Sequence, residues 1–386
     1  MKMIKICDVS EQIRGVSYKP TDIHAELNEN SVILLRANNI SDGKINFDEV
    51  VYVDKSKVSK KQYLKKGDIL ICASSGSKQL VGKAASVNFD TECTFGAFCK
   101  VVRPFEGFCD YLGVYFQSDI YRRKISELSL GANINNIKNE HIDLLEIPLC
   151  DETATVKFVQ SISKIQEIID KRKQQLQQLD DIVKARFVEM FGDPVCNSKE
   201  LPELTLPELG EFGRGVSKHR PRNDPKLLGG KHPLIQTGEV ANSKLYITSY
   251  ENTYSELGLK QSKMWQAGTL CITIAANIAK TAILTFDACF PDSVVGFKAN
   301  DKTNNIFIHY WFSFFQAILE SQAPESAQKN INLKVLSELK IIVPPIEKQN
   351  GFADFVEQVD KSKFVVQKAH DEAQLLFNSL MQEYFG

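Results

Sequence analysis

The sequence predicts an α+β fold: two similar mixed α/β domains separated by two long antiparallel coiled-coil helices, written as an internal tandem repeat. Two observations predict it, a heptad pattern of apolar residues in two separate stretches and a series of short motifs that occurs twice in one order. Each globular stretch, of roughly 150 residues, is long enough to bury its own core. The predicted boundaries are 1–150 and 195–346 for the domains, 151–194 for the central helix and 347–386 for the C-terminal helix.

The first heptad pattern lies between Thr153 and Pro194, where apolar residues alternate three and four positions apart. This spacing is the narrow seam of a coiled coil, because an ordinary surface helix carries a wider apolar stripe. Gly192 and Pro194 predict the end of the helix, since glycine accepts a left-handed conformation and proline prevents a further turn. The seam residues are Ile162, Ile165, Ile169, Leu176, Leu179, Val183 and Met190, with Arg172 and Arg186 at the polar positions.

The second heptad pattern starts near Gly351 and ends at Phe385-Gly386. Pairing of the two helices would remove both apolar seams from water. A coiled coil between two copies of the chain is the alternative that the pattern leaves open. The second seam consists of Phe352, Val356, Val359, Val366, Ala373, Phe377, Leu380 and Tyr384, with Lys363 and His370 as its polar members.

The globular halves share motifs at a nearly constant separation. The stretch from Arg14 to Ser17 (Arg-Gly-Val-Ser) recurs 200 residues later, and Lys83 has a counterpart 197 residues later in Lys280. A tandem repeat explains this constancy, although a gene duplication without functional symmetry would produce it as well. Other pairs are Gly67-Asp68-Ile69 with Gly268-Thr269-Leu270, Phe108 and Tyr111 with Phe307 and Tyr310, Asn133-Ile134 with Asn330-Ile331, and Ile147-Pro148 with Val343-Pro344.

Composition is ordinary for a soluble protein, with 43% hydrophobic and 25% charged residues and a net charge of −1. This balance argues against a strongly basic nucleic-acid binder. The nine cysteines include no C-x-x-C pair and predict reduced thiols in a cytoplasmic protein without a zinc site. No signal peptide is visible, and the apolar run 306–319 predicts a buried helix that is too short to span a membrane.

Motifs of catalysis are missing from the sequence. The stretch from Gly76 to Ala84 is similar to a phosphate-binding loop, but its glycines are spaced wrongly and Ala84 stands where a hydroxyl should bind the metal. Neither a dinucleotide-binding glycine motif nor a zinc-protease motif occurs. We therefore expect a chain without catalytic residues, cofactor or metal.

Polar and basic side chains in loops are candidates for contacts with phosphates and base edges. Any one of them alone is more often a solvated surface residue. The strongest cluster runs from Ser217 to Arg222, because Pro221 and Pro225 stiffen it and it follows the repeated Arg-Gly-Val-Ser turn. The candidates are Arg14, Ser17, Lys19, Ser74, Ser75, Lys78, Lys83, Arg122, Arg123, Arg214, Ser217, Lys218, His219, Arg220, Arg222 and Lys280.

The order of these motifs resembles that of one known family over essentially the whole chain. Arg36-x-x-Asn39-Ile40, the run Lys66–Ile71, the long helix and Met190–Pro194 are followed by Leu234–Gly238 and Val343–Glu347. This arrangement is similar to the specificity (S) subunits of type I restriction-modification enzymes. The first half departs from the pattern at Cys72-Ala73, and at Pro148-Leu149-Cys150 where a second proline is expected.

The resemblance implies two target recognition domains, each reading one half of a split double-stranded DNA sequence, held apart by the antiparallel helices. It also implies a non-catalytic scaffold for two methyltransferase (M) subunits, which bind S-adenosylmethionine, and for restriction (R) subunits, which use ATP and Mg. We expect a cytoplasmic protein without membrane contact. The alternatives are a specificity subunit of a related multi-subunit type II-like enzyme, a fused enzyme that methylates or cuts by itself, and a coiled-coil adaptor that binds protein alone.

Overall fold

The computed structural model describes residues 2–77, 79–130, 136–149, 151–275, 277–322 and 331–386. The chain divides into two compact units, unit 1 with Met1–Lys173 and Lys368–Gly386, and unit 2 with Gln174–Gln367. Both boundaries fall inside the long helices, so each unit comprises one mixed α/β globular part and one segment of each helix. The residues of the sequence predictions that lie outside the described ranges are Lys78, Asn133, Ile134, Cys150 and Asn330.

Unit 1 alternates short strands with short helices before the first long helix. Its strands are β1 (Lys2–Lys5), β2 (Ser10–Arg14), β3 (Ile23–His24), β4 (Ser31–Leu35), β5 (Ile40–Ser41), β6 (Lys44–Ile45), β7 (Val51–Asp54), β8 (Ile69–Cys72), β9 (Ala84–Ser86), β10 (Cys93–Phe95), β11 (Cys99–Pro104) and β12 (Glu146–Leu149). Its helices are α1 (Ile6–Val9), α2 (Cys109–Phe116), α3 (Asp119–Leu130), α4 (Asn139–Asp143) and the first part of α5 (Glu152–Phe191).

Two four-stranded sheets form the centre of unit 1, in the strand orders β2-β11-β8-β9 and β10-β4-β7-β3. Strand β11 lies between β2 and β8, with Val101 opposite both Ile13 and Leu70. Successive residues Val101 and Val102 are both fully buried. Consecutive apolar residues instead of a strict alternation show that both faces of the strand are covered at this point.

The long helices contribute directly to the core of unit 1. Ile162 and Ile169 of the predicted seam pack in one cluster with Met381 of the C-terminal helix. Phe158 stacks on Tyr384 with ring centroids 3.7 Å apart. The seam is wider here than the heptad pattern predicts, because this end of the helix pair also packs against α2 and α3.

Unit 2 also combines short strands with short helices. Its strands are β13 (Glu203–Thr205), β14 (Gly210–Arg214), β15 (Leu228–Leu234), β16 (Tyr246–Ile247), β17 (Asn252–Tyr254), β18 (Met264–Trp265), β19 (Leu270–Thr273), β20 (Thr281–Leu284), β21 (Ala288–Cys289), β22 (Val294–Ala299) and β23 (Lys340–Ile342). Its helices are α6 (Leu206–Leu209), α7 (Thr237–Asn242), α8 (Glu256–Lys260), α9 (Asn305–Gln322), α10 (Leu333–Glu338), the part of α5 from Gln174 onward and the part of α11 (Ile346–Phe385) up to Gln367.

The sheets of unit 2 resemble those of unit 1 but differ in their edge strands. The order β14-β22-β19-β20-β16 extends the arrangement β2-β11-β8-β9 by one strand, and the second sheet has the order β17-β15-β21-β18. Helix α9 contains the predicted apolar run, with Phe307 and Trp311 fully buried. The prediction of a buried helix is confirmed. Within the ranges that the structure describes, no helix is both long and apolar enough to cross a membrane.

In unit 2 the helix segments run antiparallel and pack through aromatic residues. Phe187 lies 5.4 Å from Phe352 between ring centroids, while Lys363 pairs with Asp180 at 2.6 Å. Helix α5 ends at Phe191 with Gly192 at φ +79°, as the sequence predicts. The heptad missed Phe187 and Phe191, both fully buried, because α9 covers this side of the helix as well.

Candidate nucleic-acid interface

Three loops of unit 1 meet at one end of the sheet that contains β11. The loop after β2 carries Arg14 and Ser17, and the loop after β8 carries Ser74. Between them passes the β10–β11 connection, whose backbone bonds to both: Val16 N–H donates to Phe95 O (2.8 Å) and Ser74 N–H donates to Phe98 O (3.0 Å). The structure therefore brings the first two predicted clusters together.

The remaining loop residues of unit 1 lie farther along these connections. Lys19 is exposed and starts a turn in which its backbone N–H donates to Asp22 (2.8 Å). Ser75 is half-buried and follows Ser74 directly. Lys83 is half-buried, and its carbonyl accepts a hydrogen bond from the backbone of Cys72 (2.9 Å), which fixes it beside the end of β8.

Two predicted arginines of unit 1 have partners within the protein. Arg122 donates from its guanidinium to the carbonyls of Val81 (2.9 Å) and Gln79 (3.1 Å), so it supports the loop that precedes Lys83. Arg123 donates to Gln382 of α11 (3.1 Å). The structure does not place Arg123 with the other candidates, since it faces the C-terminal helix; a contact of either arginine with nucleic acid stays a prediction.

A lysine that the sequence analysis missed lies beside this end of the sheet. Lys100 of β11 is the register partner of Arg14, and its Nζ donates to Asn139 Oδ1 (2.6 Å). Burial and, after it, the positive charge of Arg14 lower the pKa of Lys100 to about 8, although the charge of Asp143 acts in the opposite direction. The sequence pattern could not indicate Lys100, because only the pairing of β11 with β2 places it beside Arg14.

In unit 2 the loop Ser217–Arg222 is anchored by a glutamine from a distant part of the chain. Gln261 Oε1 accepts hydrogen bonds from the backbone N–H groups of Lys218 (2.7 Å) and His219 (3.1 Å). Ser217 is only 7% exposed, so little of this predicted contact is open to a DNA strand. Arg214 is exposed at the end of β14, and the strand leads straight into this loop.

Asp292 holds both arginines of the loop. Its carboxylate bonds to Arg222 and lies 3.5 Å from the guanidinium of Arg220. Arg220 also donates to the carbonyls of Ser217 (2.6 Å) and His219 (2.9 Å), which orients its side chain along the loop. Two guanidinium groups around one carboxylate leave a net positive charge at this surface.

The other charged groups of the loop form a local pair. His219 Nε2 lies 3.1 Å from Asp224 Oδ2. The backbone N–H of Lys226 lowers the pKa of Asp224, and the hydrogen bond with His219 lowers it further. His219 is therefore held next to a carboxylate that stays ionised, which ties the loop to the turn that follows it.

Lys280 follows a residue in an unusual backbone conformation. Ala279 has φ +58° although it is not glycine, and its counterpart in unit 1 is Gly82 with φ +81°. Lys280 N–H donates to Thr273 Oγ1 (3.1 Å), so the lysine lies beside the end of β19 as Lys83 lies beside the end of β8. The next residue, Thr281, bonds through Oγ1 to His309 (2.9 Å), whose pKa burial lowers to about 4.

Among the residues with described positions, no three His, Cys, Asp or Glu side chains are grouped to hold an ion. The loop from Gly76 leads into strand β9, whereas a phosphate-binding loop leads into a helix. The arrangement instead presents loop-borne cations at one end of a sheet in each unit.

Residues 203–375 match the model of the type I restriction modification DNA specificity domain. The EcoKI specificity subunit of Escherichia coli (strain K12), a type I restriction enzyme component, is 28% identical over 98% of this chain and 86% of its own length. The chain is therefore similar over nearly its whole length to a type I restriction-modification specificity subunit, and its second half matches the specificity domain. The StySPI specificity subunit of Salmonella potsdam is 39% identical over 46% of this chain and 39% of its own length.

A solved member of the family has the same fold. The crystal structure of the type I restriction-modification S subunit from M. genitalium superposes with a TM-score of 0.56 at 14% identity, covering 100% of this chain and 96% of that one. The domain match and the EcoKI relative confirm the resemblance that the sequence predicted. Sequence analysis missed Gln261 and Asp292, because both residues are distant in sequence from the loop that they bind.

Proposed function

We propose that this chain is the DNA-reading subunit of a type I restriction-modification complex, with each unit reading one half of a bipartite double-stranded target. One observation carries the proposal: both units contain the same docked pair of loops. Val16 N–H donates to Phe95 O in unit 1, and Val216 N–H donates to Phe290 O in unit 2 (3.1 Å). In each unit the docked turn directly follows an exposed arginine, Arg14 or Arg214.

The two loops differ in chemistry while sharing their backbone frame. Unit 2 places Arg220 and Arg222 around Asp292, whereas unit 1 has Ala97 at the corresponding position. A common frame with different side chains suits two domains that read different base sequences, because base edges are distinguished by the donors, acceptors and methyl groups that meet them. We infer that the units arose as a tandem repeat and then diverged at these loops.

The long helices are proposed as the scaffold of the assembly. They pair as an antiparallel coiled coil, set the separation of the half-sites and bind the partner subunits. Exposed apolar residues on α11 support the last point: Phe364 and Val365 in unit 2 and Leu375 and Leu376 in unit 1 are all at least half exposed. Large apolar side chains in water favour a covering partner. We propose two M subunits in this role, with R subunits joining for cleavage.

The subunit itself is proposed to be non-catalytic and free of cofactor, with S-adenosylmethionine on the M subunits and ATP and Mg on the R subunits. This follows from the family and from the absence of the corresponding motifs in the sequence. We expect the complex to work in the cytoplasm. Calorimetry of the purified chain with S-adenosylmethionine tests the division of labour: micromolar binding without an M subunit would contradict it.

The decisive experiment is DNA binding by the intact chain across a salt series. When a DNA reader binds random-sequence duplex, the logarithm of its binding constant falls linearly with the logarithm of the salt concentration, because phosphate contacts release counterions. Mapping the methylated sites in cells that contain the chain and its M partner then gives the target. A chain that binds no duplex at low salt, or methylated sites without a common sequence, would refute the proposal in favour of a protein adaptor.

A further inference from the structure

Phe98 is an exposed aromatic residue of unit 1 that is not among the polar candidates for DNA contacts. It lies on the short connection between β10 and β11, and 70% of its side chain is exposed. Single exposed apolar residues are common on protein surfaces, so exposure alone says little. Phe98 suggests a function because it lies among the candidate DNA contacts.

The backbone around Phe98 joins both candidate loops of unit 1. The carbonyl of Phe98 accepts hydrogen bonds from Ala73 (2.9 Å) and Ser74 (3.0 Å), and the N–H of Ala97 donates to Val16 (2.9 Å). Gly15 approaches so closely that a Cβ built on it would lie 2.1 Å from a carbonyl of this connection. Phe98 is therefore fixed between the Arg14–Ser17 turn and Ser74.

Unit 2 uses the same connection to hold the residues predicted to read DNA. Ile274 N–H donates to Ser293 O (3.0 Å), as Ala73 N–H does to Phe98 O, so Ser293 is the counterpart of Phe98. Its neighbour Asp292 binds both Arg220 and Arg222. The connection thus faces the candidate interface in unit 2 with polar residues and in unit 1 with an aromatic ring.

We propose that Phe98 is a specificity-determining residue of unit 1 that contacts the methyl group of a thymine in the major groove. The inference rests on the proposed DNA-reading function. The C5-methyl of thymine is the apolar group that the major groove presents, and an exposed aromatic ring is a side chain suited to cover it. Burial of one methyl group corresponds to about a fourfold gain in affinity.

The test replaces each thymine of the target duplex in turn by deoxyuridine, which lacks only the methyl group. The intact chain with its M partner loses about fourfold in affinity at one thymine of the half-site read by unit 1. Phe98→Ala binds thymine and uracil equally at that position and keeps the wild-type response at every other. Phe98→Leu, which stays apolar, retains part of the discrimination.

Phe105→Ala is the matched control. Phe105 is 48% exposed and follows the opposite end of the same strand β11, so its loss removes a similar amount of exposed apolar surface away from the candidate loops. This variant keeps the wild-type uracil profile.

The inference is overturned if wild type shows no uracil-sensitive position, if Phe98→Ala keeps the wild-type profile, or if the half-site of unit 1 contains no A·T pair. In each of these cases the target is still recognised, so the proposed function stands. If the intact chain with its M partner does not distinguish its target from random duplex, the proposed function fails together with the inference.

Discussion

Replacement of Asp292 by asparagine tests how the arginines of the Ser217–Arg222 loop work. Arg222 is 44% exposed and Asp292 is 36% exposed, so solvent screens the ion pair. Exposed pairs contribute at most about 1 kcal/mol to folding. We therefore expect Asp292→Asn to leave the free energy of unfolding within about 1 kcal/mol of wild type, which separates its effect on DNA from any effect on stability.

The expected effect on recognition follows from the shared carboxylate. If Arg222 bonds a base edge, Arg222→Ala costs about 1–3 kcal/mol, or roughly 5- to 150-fold in affinity, and relaxes one position of the target. Asp292 orients that guanidinium, so Asp292→Asn relaxes the same position by a smaller factor. The losses of the two substitutions are less than additive in the double variant, because both act on the Arg222 contact. Loss of the negative charge raises affinity for random duplex.

Fluorescence anisotropy with target and random duplexes, repeated across a salt series, measures the affinities and the sequence preference of each variant. A lysine or arginine that touches only phosphate weakens every sequence alike and lowers the salt slope by about one, which distinguishes it from a base contact. The reasoning is wrong if Arg220→Ala and Arg222→Ala both leave affinity and sequence preference unchanged. It is also wrong if Asp292→Asn relaxes a position that neither Arg220→Ala nor Arg222→Ala relaxes.

Three further predictions concern stability, each measured by denaturant unfolding of the intact chain. Gly82→Ala lowers the free energy of unfolding by about 1–3 kcal/mol, because φ is +81° and the new Cβ would lie 2.7 Å from a side-chain methyl of α3. Ala279→Gly, at the counterpart position, changes it by less than about 1 kcal/mol, and equal effects of the two substitutions would contradict the assignment of strain. Asp68→Ala lowers the free energy of unfolding by about 3–5 kcal/mol, because it leaves the buried charge of Arg103 without the carboxylate whose two oxygens it bonds at 2.8 and 2.7 Å. A loss below about 1 kcal/mol, the size typical of exposed ion pairs, would refute this. His309 has a pKa of about 4 in the folded chain against an ordinary value of 6.5, so its contribution to stability is complete above pH 6.5 and is lost as the pH falls through 4. His309→Asn therefore makes the free energy of unfolding less dependent on pH in that window. An unchanged pH profile would show that other groups dominate.

Local signals predicted much of the fold. The glycine after α5 adopts the left-handed conformation that the Phe191-Gly192 stop requires, and the apolar run after Asn305 forms a buried helix. Turn-then-strand motifs such as Gly67 followed by Ile69 mark the start of β8. Each of these features depends on neighbours within a few positions, which a sequence displays directly.

Contacts between distant residues could not be predicted in the same way. The partners Gln261 and Asp292 lie 43 and 70 positions from the loop residues they bind, and no periodicity connects them. The heptad missed Phe187 for a related reason, since a third element widens the buried stripe of α5. At the candidate interface the sequence therefore indicates the loops, while the side chains that orient them become visible only after folding.

The most direct test of the account uses the two helices as a ruler. Seven residues inserted into each helix, near Gln175 and Gln367 where the units meet in sequence, keep the heptad register and add about 10 Å of helix, because each residue rises 1.5 Å. Duplex DNA advances about 3.4 Å per base pair, so methylated sites mapped with the M partner should contain the original half-sites with a spacer longer by about three base pairs. An active variant that methylates sites with the original spacer would contradict the claim that the paired helices set the distance between two DNA-reading units.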